Sequence, residues 1–84
     1  MDEKRSPIQH VFVLRRIEPE QNVARFHALM IERGLFGRIV LVRHWGRIGS
    51  RGRERVDEHA SQDEAATAMG KLAGTKRRRG YQDL

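Results

Sequence analysis

The stretch that decides the fold is Ile39-Val40-Leu41-Val42-Arg43-His44-Trp45-Gly46-Arg47-Ile48-Gly49-Ser50-Arg51-Gly52. It opens on an unbroken apolar run rich in β-branched residues, which predicts a buried strand over 38–45. Glycines then recur at Gly46, Gly49 and Gly52. With Ser50 they permit a tight loop, because glycine tolerates positive φ. Arg53 to His59 is polar around the apolar Val56. It reads as a short edge strand folded back on the first, with charges that discourage stray pairing. Ile39 and Leu41 fall on one side of the central strand, Val40 and Val42 on the other. The sheet therefore has two apolar faces, and one helix covers only one of them. The second face is exposed, or covered by the N-terminal segment, a protein partner or a second copy.

Downstream, Ser61 and Glu64 have the spacing of a capping box. Asp63 and Glu64 suit the positive end of a helix dipole, and the run Lys76 to Arg79 suits the negative end. Ala65, Ala66, Met69, Leu72 and Ala73 form an apolar stripe at helical spacing. Gly80 marks the stop, and Tyr81 folds back onto the core. Upstream, residues 1–7 are charged, end in Ser6-Pro7 and read as a disordered leader to a single domain over 8–84. Ile8 to Ile17 predicts a strand that Pro19 ends. Asn22 to Arg33 admits two readings. Val23, Phe26, Leu29 and Met30 fit a helical stripe, while Phe26, Ala28 and Met30 fit one face of a strand; periodicity slightly favours the helix. Gly34 and Gly37 bracket a turn.

The chain has 84 residues, no cysteine and a formal net charge of +6. Disulfides and cysteine-based zinc sites are excluded. Fourteen of the 17 cations are arginine, whose planar fork suits phosphate and aromatic planes; codon bias gives the same excess. No segment approaches the roughly 20 apolar residues of a membrane helix, and the N-terminus lacks a signal-peptide pattern. The expected setting is cytoplasmic, with nucleoid association if DNA is the partner, and no membrane.

Catalysis finds no support. The carboxylates lie beside basic residues, and no pair stands in an apolar setting that would tune it for proton transfer. His10, His27, His44 and His59 lack metal-ligand spacing, so no metal and no cofactor are expected. The glycines do not open a helix after a strand, as a dinucleotide fingerprint requires, and no small-molecule substrate is implied. What remains is a basic–aromatic cluster. Arg38, Arg43, Arg47, Arg51, Arg53 and Arg55 surround Trp45, the sole tryptophan. An exposed aromatic stacks on a sugar or base while guanidiniums hold phosphates. A buried Trp45 amid a solvated basic face is the alternative, and Lys76 to Arg79 matters to binding only if it lies beside the first cluster.

These motifs together resemble the WGR domain, a family known from DNA-dependent poly(ADP-ribose) polymerases and many bacterial proteins. The family's Asn-x-x-Lys-Phe-Tyr is matched by Asn22-Val23-Ala24-Arg25-Phe26-His27. Its Trp-Gly-Arg-Val-Gly-x-x-Gly is matched by Trp45 to Gly52. Its helix pattern is matched by Ala65 to Met69 and by Lys76 to Gly80-Tyr81. His27 for Tyr and Met69 for Phe are departures in expected core positions. The resemblance covers residues from about 9 to 82. It implies an α+β fold, a small antiparallel sheet of about four strands with one C-terminal helix packed on it, and it makes Asn22 to Arg33 a strand. It also implies a non-catalytic, free-standing module that grips nucleic-acid backbone without sequence specificity, DNA ahead of RNA, favouring ends or breaks. Trp45 would stack on a sugar and Arg47 contact the backbone. Arg43, Arg51, Arg53, Lys76, Arg77 and Arg78 complete the expected contact set, and Gly46, Gly49, Gly52 and Gly80 serve turn geometry. A protein–protein adaptor or a homodimer, built on the second sheet face, is the competing expectation.

Overall fold

The computed structural model describes residues 6–84, with side chains described over 11–34 and 36–84. Residues 1–5 of the expected leader lie outside the described residues. The elements are β1 (Ser6–Glu18), β2 (Val23–Arg33), β3 (Ile39–Arg47), β4 (Arg53–His59), α1 (Gln62–Arg78) and β5 (Gln82–Asp83). They form one antiparallel sheet in the order β4-β3-β2-β1-β5, with α1 on one face. The fold is α+β as expected, with five strands rather than about four. The additional one is the two-residue β5, which pairs Gln82 and Asp83 with Arg15 and Leu14.

Asn22 to Arg33 corrects the helical periodicity. Asn22 takes a left-handed conformation (φ 56°) after the turn at Pro19–Gln21, and Val23–Arg33 is a strand. Its helix-side row is His27, Leu29 and Ile31, all buried, while Phe26, Ala28 and Met30 occupy the opposite side. Apolar residues on both sides blur the two-residue alternation that marks a half-buried strand.

The core lies between sheet and helix. Leu14, Leu29, Ile31, Ile39 and Leu41 meet Ala65, Met69, Ala73 and Tyr81. Both ends of α1 are capped. The Glu64 amide donates to Ser61 Oγ (3.1 Å), and the Glu64 carboxylate accepts from the Ala60 amide (2.6 Å) rather than from that of Ser61. At the far end, Gly80 at φ 97° lets its amide reach the Arg77 carbonyl and the Tyr81 amide reach the Lys76 carbonyl. That pair of bonds is a Schellman stop, and it turns Tyr81 into the core. On the other face, Val11, Met30, Val42 and Val56 stand directly opposite one another across β1 to β4.

Candidate nucleic-acid interface

Strand register stacks the basic residues in rows on the helix side of the sheet. Arg16, Arg25 and Arg47 face one another across β1, β2 and β3. The next row is Leu14, His27, Trp45 and Arg53, and the next is Phe12, Leu29, Arg43 and Arg55. Like charges set directly opposite disfavour pairing. Two members of the first row are relieved locally. Arg16 Nε donates to Glu18 (2.7 Å), and Arg47 donates to the Asn22 carbonyl (3.3 Å) and to Asn22 Oδ1 (3.2 Å).

The C-terminal half of α1 overhangs this end of the sheet. His27, Arg43, Trp45, Leu72, Thr75, Lys76 and Arg79 line a cleft of about 320 Å³ without a carboxylate among them. Trp45 is half-buried. Its ring stacks on His27 at 18° and 5.9 Å, with the Arg43 guanidinium 5.6 Å from its centroid. Lys76 Nζ lies 5.4 Å from the Tyr81 ring centroid. Its ammonium is held below the usual lysine range, first by burial and then by repulsion from Arg79, Arg25 and Arg43. The two basic clusters of the sequence are therefore one surface.

His27 closes the floor. It is 4% exposed, neither ring nitrogen has a hydrogen-bond partner, and the Tyr81 ring meets it edge-on. Burial, helped by Lys76 and Arg43, pushes its pKa down from 6.5 to about 4. The folded chain thus holds this proton more weakly than the unfolded chain. Its contribution to stability is complete above about 6.5 and declines as the pH falls toward 4. Acidification from pH 7.5 to 4.5 is expected to cost on the order of 2 kcal/mol through this residue. Urea denaturation of His27→Phe, which has no titrating group, should lack that part of the decline.

The expected contact residues divide. Arg43, Trp45 and Lys76 meet in the cleft, and Arg53 stands beside Trp45 on β4. Arg47 is exposed but clamps the β1–β2 turn through Asn22. This clamp gives a physical reason for the Asn22 and Arg47 motifs to occur together. Arg51 is exposed in the loop, where its carbonyl meets His44 Nε2. Arg77 turns away from the cleft: it makes two 2.8 Å bonds to Asp83 and lies 5.2 Å from the Phe12 ring centroid. Arg78 bonds to Thr75 Oγ1 and does not line the cleft. Arg79 and His27 were absent from the expected contact set. Helical spacing signals Arg79, since Leu72, Thr75, Lys76 and Arg79 share one face.

The glycines shape the loop beneath Trp45. A Cβ on Gly46 would lie 2.7 Å from Gly52 Cα, and one on Gly52 would lie 2.5 Å from the Trp45 carbonyl oxygen. The loop is closed by bonds from the Ser50 amide and hydroxyl to the Arg47 carbonyl and from the Ile48 amide to the Ala24 carbonyl.

Comparison with known proteins identifies the family. An uncharacterized protein of Sinorhizobium fredii is 42% identical over 66 residues, which is 79% of this chain and 32% of that protein. The chain thus spans about a third of the relative it matches. The family model of the WGR domain matches residues 10–84, taking in both strands of the Trp45 hairpin, the loop glycines and the whole of α1. The chain belongs to the WGR domain family, known as a nucleic-acid-binding module.

Proposed function

We propose that the Trp45 cleft binds nucleic-acid backbone without reading sequence, DNA ahead of RNA, with a preference for ends or breaks. The observation that carries this reading is the meeting of Lys76 from α1 and Arg79, the residue that caps it, with Arg43 and Trp45 from β3 in one cleft without a lining carboxylate. A sugar packs on the free part of the indole, and the cations neutralise the flanking phosphates. The role is binding rather than catalysis, in a cytoplasmic, nucleoid-associated setting.

Titrating nicked, blunt-ended and circular duplex DNA, and RNA, at two salt concentrations tests the reading. Tight, salt-sensitive binding that favours ends supports it, and no binding at low salt refutes it. Trp45→Ala should weaken duplex binding about tenfold, the contribution of one stacking interaction, with only a modest stability cost because the ring is half-buried. Arg47→Ala should weaken binding less and stability more, because Asn22 loses its clamp.

A second reading rests on the opposite sheet face. Val11 and Val56, at the two ends of the apolar row, are 46% and 43% exposed. That surface suits a protein partner or a second copy. It predicts a dimer or complex by mass and no retention of nucleic acid.

A further inference from the structure

The floor of the cleft holds donors that the fold itself leaves unused. Both ring nitrogens of His27 and the Nε of Arg43 are buried without a hydrogen-bond partner. Such groups are uncommon in folded proteins because an unmet buried donor is unfavourable. An aromatic hydrocarbon at position 27 would stack on Trp45 without that cost. His27 and Arg43 both line the cleft that Lys76 and Arg79 rim. Burial first, and then repulsion from Arg79, Arg25 and Arg43, weakens the hold of Lys76 on its proton. The carbonyl end of α1 adds a field of the wrong sign for an anion. That field amounts to roughly half a charge. The Schellman bonds occupy the Lys76 and Arg77 carbonyls, and the full charges of Arg43, Lys76 and Arg79 outweigh it.

We propose that one phosphate group seats on this floor, accepting hydrogen bonds from His27 and Arg43, and that His27 takes up a proton as it seats. The proposal rests on the nucleic-acid reading for the source of the phosphate, but the floor site is a separate claim. The groups around His27 set the direction of the proton's movement. Arg43 and Trp45 face it from β3, Lys76 from α1, Tyr81 from the segment beyond α1, Leu14 from β1, and Arg25 lies two residues along its own strand. In the bare cleft burial, and then repulsion from Lys76 and Arg43, disfavours a charged imidazole. An oxyanion reverses the local sign and favours the imidazolium, whose ring nitrogen facing the anion then donates whichever tautomer the neutral ring held.

The test uses the full chain and two probes. Sulfate mimics the phosphate tetrahedron and does not titrate between pH 5 and 8; a 20-base-pair duplex supplies the natural anion. Imidazole nitrogen spectra report the charge of His27. Calorimetry at pH 5.5 in two buffers of different ionisation heat counts protons taken up. The expected result is that either probe converts His27 to the imidazolium pattern at pH 5.5. Duplex affinity should rise toward the limit of about tenfold per pH unit lowered, set by one linked proton, and His27→Phe should flatten that rise. Uptake at His10, His44 or His59 would persist in His27→Phe and so counts against the proposal. If the duplex binds but the His27 ring stays neutral, the floor site falls and the interface reading stands. If the duplex does not bind while sulfate still charges His27, the floor site stands and the nucleic-acid reading falls. If neither probe changes the ring, the floor site is refuted.

Discussion

Replacing Gly52 by alanine is expected to lower stability by about 3 kcal/mol and Tm by about 15 °C. Two causes add. Gly52 has φ 73°, a conformation costly for any residue with a Cβ. The new methyl would also lie 2.5 Å from the Trp45 carbonyl oxygen and 2.9 Å from Phe26 Cζ. The carbonyl is held in the β3–β4 hairpin and has little room to retreat. Gly49→Ala is the control. It carries the same kind of backbone strain at φ 94° but meets nothing within 4 Å, so it should cost only about 1 kcal/mol. Calorimetric melting of both variants separates the causes. Equal losses would mean that strain alone governs the loop and that contact with Trp45 is unimportant. Because Gly52 packs against the backbone of Trp45, its substitution should also shift tryptophan emission, and Gly49→Ala should not.

The double variant Lys76→Gln/Arg79→Gln should bind duplex about 100-fold more weakly at 50 mM salt, roughly tenfold for each phosphate left without its cation. The slope of log affinity against log salt should flatten by about 2 for the same reason. Stability should barely move, with Tm within about 4 °C of the parent. Both residues stand at the end of α1, where cations suit the dipole, yet Lys76 is repelled by Arg79, Arg25 and Arg43. These effects offset. Arg77→Gln is the contrasting change. It breaks the paired bonds to Asp83 that hold β5 against the helix, and it leaves the cleft intact. Its effect should fall on the C-terminal segment and not on the salt slope. Binding isotherms at four salt concentrations distinguish the two.

Much of this architecture is legible in the sequence because its signals are local. Ile39 to Val42, the glycine loop and Arg53 to His59 specify a hairpin through neighbouring residues alone. Ser61, Glu64 and Gly80 mark the helix ends through bonds that span a few positions. Asn22 to Arg33 is different. With apolar residues on both sides of β2, neither a two-residue nor a 3.6-residue period stands out, and only the whole motif pattern resolves it. β5 leaves no local signal, since two residues gain strand geometry only after Tyr81 has docked.

The site is partly legible. Trp45 and the arginines around it are evident from composition. Their grouping depends on strand parity, which puts Arg43, Trp45 and Arg53 on the helix side and His44 and Glu54 on the other. The division of Lys76 to Arg79 depends on helical phase. Lys76 and Arg79 face the cleft while Arg77 reaches Asp83. The role of His27 needs the packed structure, because its unused ring nitrogens are a property of its neighbours.

Trp45 is the sole tryptophan in the chain, so its fluorescence reports on the cleft and on nowhere else. The most direct test follows Trp45 emission and the anisotropy of a labelled duplex in one titration at 50 and 200 mM salt. With about three phosphates neutralised, affinity should fall about 40-fold between the two, and the emission change should saturate with the same midpoint as the anisotropy at each salt. Duplex binding that leaves Trp45 emission unchanged would place the interface elsewhere and contradict the account.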